Sequence, residues 1–90
     1  MQFPQINLNG TSGTELVEQY IAAAAMVRAA LETVRKMEVH GRDYQTLEAG
    51  AFQVAQREHI DRQRKLSSVA AELEALALEV TRQLFERDRG

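Results

Sequence analysis

Apolar and small residues recur at positions 16, 20, 23, 27, 30, 34 and 37 in alternating steps of four and three, and this spacing predicts a helix with one apolar seam. A flanking stripe of Val17, Ile21, Ala24 and Leu31 widens the seam into a face suited to a core. A second run, Phe52, Ala55, His59, Arg62, Leu66, Val69, Leu73, Leu76 and Val80, repeats the stepping and predicts a longer helix. Between them His40-Gly41-Arg42-Asp43-Tyr44 has the composition and length of a connection joining antiparallel neighbours. Gly41 would be the left-handed stop of the first helix, and a residue between Asp43 and Thr46 the N-cap of the second. Ahead of both, MQFPQINLNGTSG holds the only proline and reads as an extended arm. It ends in a capping box, Ser12 accepting from the amide three residues on and Glu15 reaching back.

The expected architecture is therefore all-α: an antiparallel helical hairpin with an extended N-terminal arm. The arm and cap occupy residues 1–13 and a single domain residues 14–88, divided into helix 14–38, loop 39–45 and helix 46–87. The helices differ in length, about 60 Å against about 35 Å at 1.5 Å per residue. On this reading the stretch beyond Val69 overhangs the first helix, although Leu73, Leu76, Leu78, Val80, Leu84 and Phe85 are apolar. Either the chain breaks at Ser67-Ser68 and folds back, or the overhang pairs with another copy or with the arm. The steps pass Ser67-Ser68 without a change of phase, which favours a homo-oligomeric helical bundle. Ala22, Ala25, Ala29 and Thr33 form a row of small side chains that lets a second helix approach closely, or simply reflects alanine's helix propensity. The expected oligomer interface thus comprises Ala22, Ala25, Ala29, Leu73, Leu76, Val80 and Leu84.

Composition narrows the chemistry. Ninety residues with no cysteine leave neither disulfides nor a thiolate metal site as a source of stability, which suits a reducing compartment and strengthens the case for self-association. No apolar run approaches the length of a membrane span and no signal segment is recognisable, so a cytoplasmic location is expected. Eleven basic and thirteen acidic residues are interspersed, so no basic footprint for nucleic acid exists. The run Arg57, Arg62, Arg64, Lys65 is broken by Glu58 and Asp61, lacks aromatics, and reads as a solvated face. No nucleophile elbow, zinc-protease helix, phosphate loop or dinucleotide fingerprint occurs, and no metal or cofactor is expected, so a non-catalytic role is expected.

The informative departures are His59 and Arg62, polar residues on an apolar seam, which need a partner, a solvated cavity or an anionic ligand. Pairing about Gly41 would set them against Ala22 to Ala25, where small side chains leave room. Arg62 snorkelling to the edge and His59 making an ordinary hydrogen bond would equally account for them. Arg42, Asp43 and Tyr44 have a structural reading as solvated charge, cap and core cover. They have a functional one as well, since arginine beside a planar aromatic suits an anionic, ring-bearing molecule. Asn9-Gly10-Thr11 matches a glycosylation acceptor, a pattern of low specificity, and with Ser12 offers amides and hydroxyls at a helix start.

These motifs together, Asn9-Gly10-Thr11-Ser12, Gly41-Arg42-Asp43-Tyr44 and Glu58-His59 with Arg62, make the chain resemble a family of small proteins encoded by phages and prophages of Gram-negative bacteria. The resemblance covers residues 5 to about 80; Gln45 and Thr46 depart from it, where that family often has a second aromatic or a proline. It implies that the polar residues are family features. The size and layout are similar to phage-encoded helical oligomers that sequester cyclic-nucleotide immune signals, an analogy of layout alone. The resulting expectation is a cytoplasmic homo-oligomer, in a bacterial host, that binds a small anionic ligand such as a cyclic nucleotide. Arg42 and Arg62 would contact phosphate, Tyr44 would stack, and Asn9, Thr11, Ser12, Asp43 and His59 would complete the site. The alternative is a helical protein–protein interaction module, an assembly adaptor or inhibitor that docks an apolar helix end into a groove.

Overall fold

The computed structural model describes residues 1–89 and contains two long helices, α1 (Gly13–Arg35) and α2 (Ala51–Arg89), with a short 3-10 turn at Gly41–Tyr44 between them. No strand occurs among the described residues. Helix α1 begins where the cap predicts: the Glu15 amide donates to Ser12 Oγ at 3.1 Å. The reciprocal bond from Glu15 to the Ser12 amide does not form among the described residues, so the capping box is half closed.

Both inner helix ends differ from expectation. Helix α1 stops at Arg35 rather than residue 38, its last turn tightened by bonds from the Lys36 amide to the Glu32 and Thr33 carbonyls at 3.3 and 3.2 Å. Met37, the last residue of the predicted seam, is exposed, and a terminal turn without tertiary contact is marginal. Gly41 is not a left-handed stop. The positive φ lies at Gly50, 91°, immediately before α2, whose first intrahelical bond runs from the Val54 amide to the Gly50 carbonyl. Helix α2 therefore starts at Ala51, not residue 46, and Asp43 does not cap it. It continues unbroken through Ser67-Ser68, so there is no third, folded-back helix among the described residues.

Register is the larger correction. A Cβ placed on Gly13 would lie 2.7 Å from Leu84 Cδ2 and 2.9 Å from Ile6 Cδ1, so the start of α1 lies directly on the end of α2. Further along, Arg28 grips Glu74 through Nε and Nη2 at 3.1 and 2.6 Å. Helix α1 thus covers the C-terminal half of α2. The overhanging half is the N-terminal one, along which the chain runs from residue 36 until Gly41 meets the Phe52 ring. Val80 is completely buried, Leu73, Leu76 and Leu84 are half-buried, and none of the four belongs to a bare overhang. They are core and core edge of one chain.

The buried apolar residues are mostly small: Ala24, Ala55, Ala70 and Ala77, with Leu31 and Val80 the largest side chains fully enclosed. Small residues let helix axes approach closely but bury little area each. The result is a rod of 65 × 20 × 20 Å with a radius of gyration of 19.4 Å. A compact chain of this length would have about 12 Å.

Leu31→Ala is expected to destabilise the fold by about 2–5 kcal/mol in urea denaturation. Leu78→Ala, at a side chain 72% exposed, should stay within about 0.5 kcal/mol of the native protein. Equal effects would contradict the register.

Candidate functional site

The polar residues singled out in the sequence fall into two groups at opposite ends of the rod. Asn9, Thr11 and Ser12 sit beside the start of α1, where the N-terminal segment lies against the last turns of α2. Arg42, Asp43 and Tyr44 form the 3-10 turn at the start of α2. From Phe52, beside that turn, to Leu84, beside the other group, α2 rises roughly 48 Å at 1.5 Å per residue. One chain therefore does not bring them together.

At the first end Gln83 is the fastening. Its Nε2 donates to the Pro4 carbonyl at 2.9 Å and to Glu79 Oε2 at 2.6 Å, while its Oε1 accepts from the Ile6 amide at 2.9 Å. A single side chain thus satisfies two backbone groups of a segment without regular structure, which is how an irregular segment is held on a helix. Glu79 also takes two bonds from Arg82, at 2.8 and 2.9 Å. Arg82, then Gln83, hold the Glu79 carboxyl down to about 2. Arg82 is engaged a second time by Glu86 at 2.7 Å, and Glu79 first, then Glu86, raise its already high pKa further. An open groove of about 920 Å³ lies here, lined by Asn7, Ser12, Thr14, Arg82, Gln83 and Arg87 among others. Asn9 and Thr11 are outside its lining. Its arginines face carboxylates: Arg82 as described, and Arg87 at 3.8 Å from Asp88.

At the second end the half-buried Tyr44 ring lies 6.4 Å from Phe52, tilted by 42°, beside the start of α2. The Asp43 amide closes the turn on the His40 carbonyl at 3.1 Å, and the His40 ring sits 2.9 Å from Glu38. Arg42 and Asp43 are exposed and, with His40 and Gly41, line a shallow depression of about 690 Å³. Arg42 has no ion-pair partner among the described residues.

His59 and Arg62 part company. Arg62 is exposed and, among the described residues, unpaired. His59 is only 8% exposed, and its Nε2 is buried with no hydrogen-bond partner. Neither faces Ala22 to Ala25, because α1 ends about one to two turns short of His59 along α2. The segment passing this part of α2 is the connection, whose half-buried residues are Val39 and Tyr44. The imidazole Nε2 is thus shielded from water without a partner. No group of three or more metal-ligating side chains is found among the described residues. No helix is long and apolar enough to cross a membrane among them.

Sequence reasoning missed Gln83, Glu79 and Gly13. Gln83 lies off the apolar seam and carries no motif, and Gly13 reads in the sequence only as the end of the arm. The chain matches no protein-family model, no curated protein and no solved structure.

Gln83→Leu should release the N-terminal segment, read as loss of hydrogen-exchange protection at the Ile6 amide while helix content is retained. Because its pKa is depressed, the ionised Glu79 contributes stability that is complete above the ordinary carboxylate value of 4.5 and lost as pH falls through about 2. Protection of the segment should decline over that window; a decline near neutral pH would show another group to be responsible.

His59→Leu should stabilise the isolated chain by about 1 kcal/mol, because it removes a buried polar atom that has no partner. A destabilised His59→Leu variant would mean that the imidazole is satisfied in solution.

Proposed function

We propose that the chain is a non-catalytic helical interaction module, acting on other polypeptides through apolar helix faces that its own fold leaves uncovered. The observation that supports this reading is the outer surface of the rod, where Ile21, Met26, Ile60 and Leu78 all remain 47 to 72% exposed on regular helix. A two-layer hairpin can cover one face of each helix, and apolar side chains on the remaining faces mark contact surfaces. The concave surfaces are an open groove whose arginines are matched by carboxylates and a shallow depression at the turn, which suits surface contact better than enclosure of a substrate.

One observation favours a second reading, the small anionic ligand. The buried, unpartnered Nε2 of His59 lies in the same half of the rod as the unpaired Arg42 and Arg62. A phosphate-bearing ligand held between the connecting segment and α2 would give all three a partner. Cyclic di- and trinucleotides in a thermal-shift assay test it.

For the leading reading, the tagged chain is used for capture from the cells that make it, with Met26→Lys and Leu78→Glu as comparisons. Both variants should keep native helix content, since both side chains are exposed, and one or both should lose the captured polypeptide. A native chain that captures nothing, itself included, would sink the module reading. Stabilisation by a nucleotide that disappears in His59→Leu would put the ligand reading in its place.

A further inference from the structure

The uncovered face of α1 has properties that identify its occupant. Residues 19–31 carry one charged side chain, Arg28, and that one is committed to Glu74 of α2. On the side away from α2, Ala22, Ala25, Met26, Ala29, Ala30 and Thr33 are all exposed. The one hydroxyl among them is already spent, since Thr33 Oγ1 donates to the Ala29 carbonyl at 3.1 Å, so the face presents Thr33 without an unmet donor. A helix that is apolar on both sides is normally covered on both. Here the second cover is missing from the chain itself.

The unpaired charges that bracket this face are of opposite sign at its two ends, the Glu32–Arg35 pair beside Lys36 being matched within itself. Glu15 and Glu18 stand before it and Lys36 after it; all three are exposed and none has an ion-pair partner among the described residues. Met26 lies midway between Glu15 and Lys36. A surface that is apolar in the middle, acidic at one end and basic at the other is complementary to itself when turned end for end. That is the requirement for an isologous two-fold contact.

We propose that α1 pairs with α1 of a second copy of this chain, antiparallel about a two-fold axis near Met26, with Glu15 and Glu18 of each copy facing Lys36 of the other. This proposal rests on the interaction-module reading and names the partner. Alanines on both sides allow helix axes to come within about 8 Å. The apolar stretch from Gln19 to Leu31 is about 20 Å long. A contact of that length is at the small end of specific interfaces, so the dimer is concentration-dependent. The pairing has a consequence for the scattered polar residues. Turning α1 end for end carries Ser12 of one copy past Lys36 of the other, toward the connection that bears His40 and Arg42, so the two groups approach each other between chains.

Light scattering and sedimentation on the full chain should show a monomer–dimer equilibrium. Met26→Lys should raise the dissociation constant at least about tenfold without altering the circular dichroism spectrum. The decisive arm is a charge swap. A chain carrying Glu15→Lys and Glu18→Lys, and a second carrying Lys36→Glu, should each dimerise more weakly than the native chain. Mixed, they should form a heterodimer in which both ends are again matched. The absence of cysteine permits a second readout: Met26→Cys should oxidise to a disulfide-linked dimer, and Leu78→Cys should not. A chain monomeric at every concentration, a mixture no more associated than its components, or equal cross-linking at residue 78 would each overturn the pairing. A monomer that still captures another polypeptide would overturn it while leaving the module reading intact.

Discussion

The contact at Gly13 governs the arrangement of the whole chain. A Cβ at Gly13 would press on the side-chain ends of Leu84 and Ile6, which would have to shift, so the first residue of α1 rests closely on the end of α2 while the N-terminal segment packs into the same point. Everything else follows from that alignment. Helix α1 is shorter than α2, so fixing its start at Leu84 exhausts it two-thirds of the way back. The chain must then travel on without helix to reach Phe52. The exposed Arg28–Glu74 pair agrees with this register but is too well solvated to impose it.

A register set at the far end of α2 has chemical consequences at the near end. His59 would have met alanines on a helix; instead it lies beyond the end of α1, in the stretch of α2 that the connection passes, and its Nε2 has no partner. At the Gln83 end the reverse holds: a segment without regular structure is supplied with a donor and an acceptor from one amide side chain, backed by Glu79 and Arg82. Polar satisfaction is thus uneven along the rod, complete at the fastening and incomplete at the connection. Local opening is easiest where buried groups lack partners and the cover is irregular, which places the softest part of the fold between Met37 and Gly50.

How much of this the sequence discloses depends on whether the determining contact is local. The helices and the Ser12 cap are legible because a 3.6-residue period and an N-cap spacing are written within a few residues of where they act. The register is not, because both seams repeat the same three-four steps from end to end, and sliding one helix along the other by a heptad leaves the pattern unchanged. One contact that marks it is the close approach of Gly13 to Leu84 and Ile6, and a glycine beside a predicted cap carries no sign of it. The turn is illegible for a similar reason: Gly41 reads as the stop of the first helix, whereas the positive φ falls at Gly50, before α2, in a connection whose Tyr44–Phe52 ring contact exists only once the chain has turned. The separation of Ser12 from Arg42 was readable in principle, since an intervening helix holds its own two ends about 35 Å apart.

That separation sharpens the question of what the polar residues are for. Within one chain, the hydroxyl and amide groups at the start of α1 and the arginine and tyrosine after its end cannot share a ligand, whatever the loops do, because a rigid helix stands between them. Two copies of that helix laid antiparallel remove the obstacle, since the start of each then lies beside the end of the other. The same operation covers the uncharged outer face of α1 and pairs its unmatched end charges. A hairpin that leaves one helix apolar on both sides has an incomplete core, and the surface that completes it is the one that unites its divided polar groups.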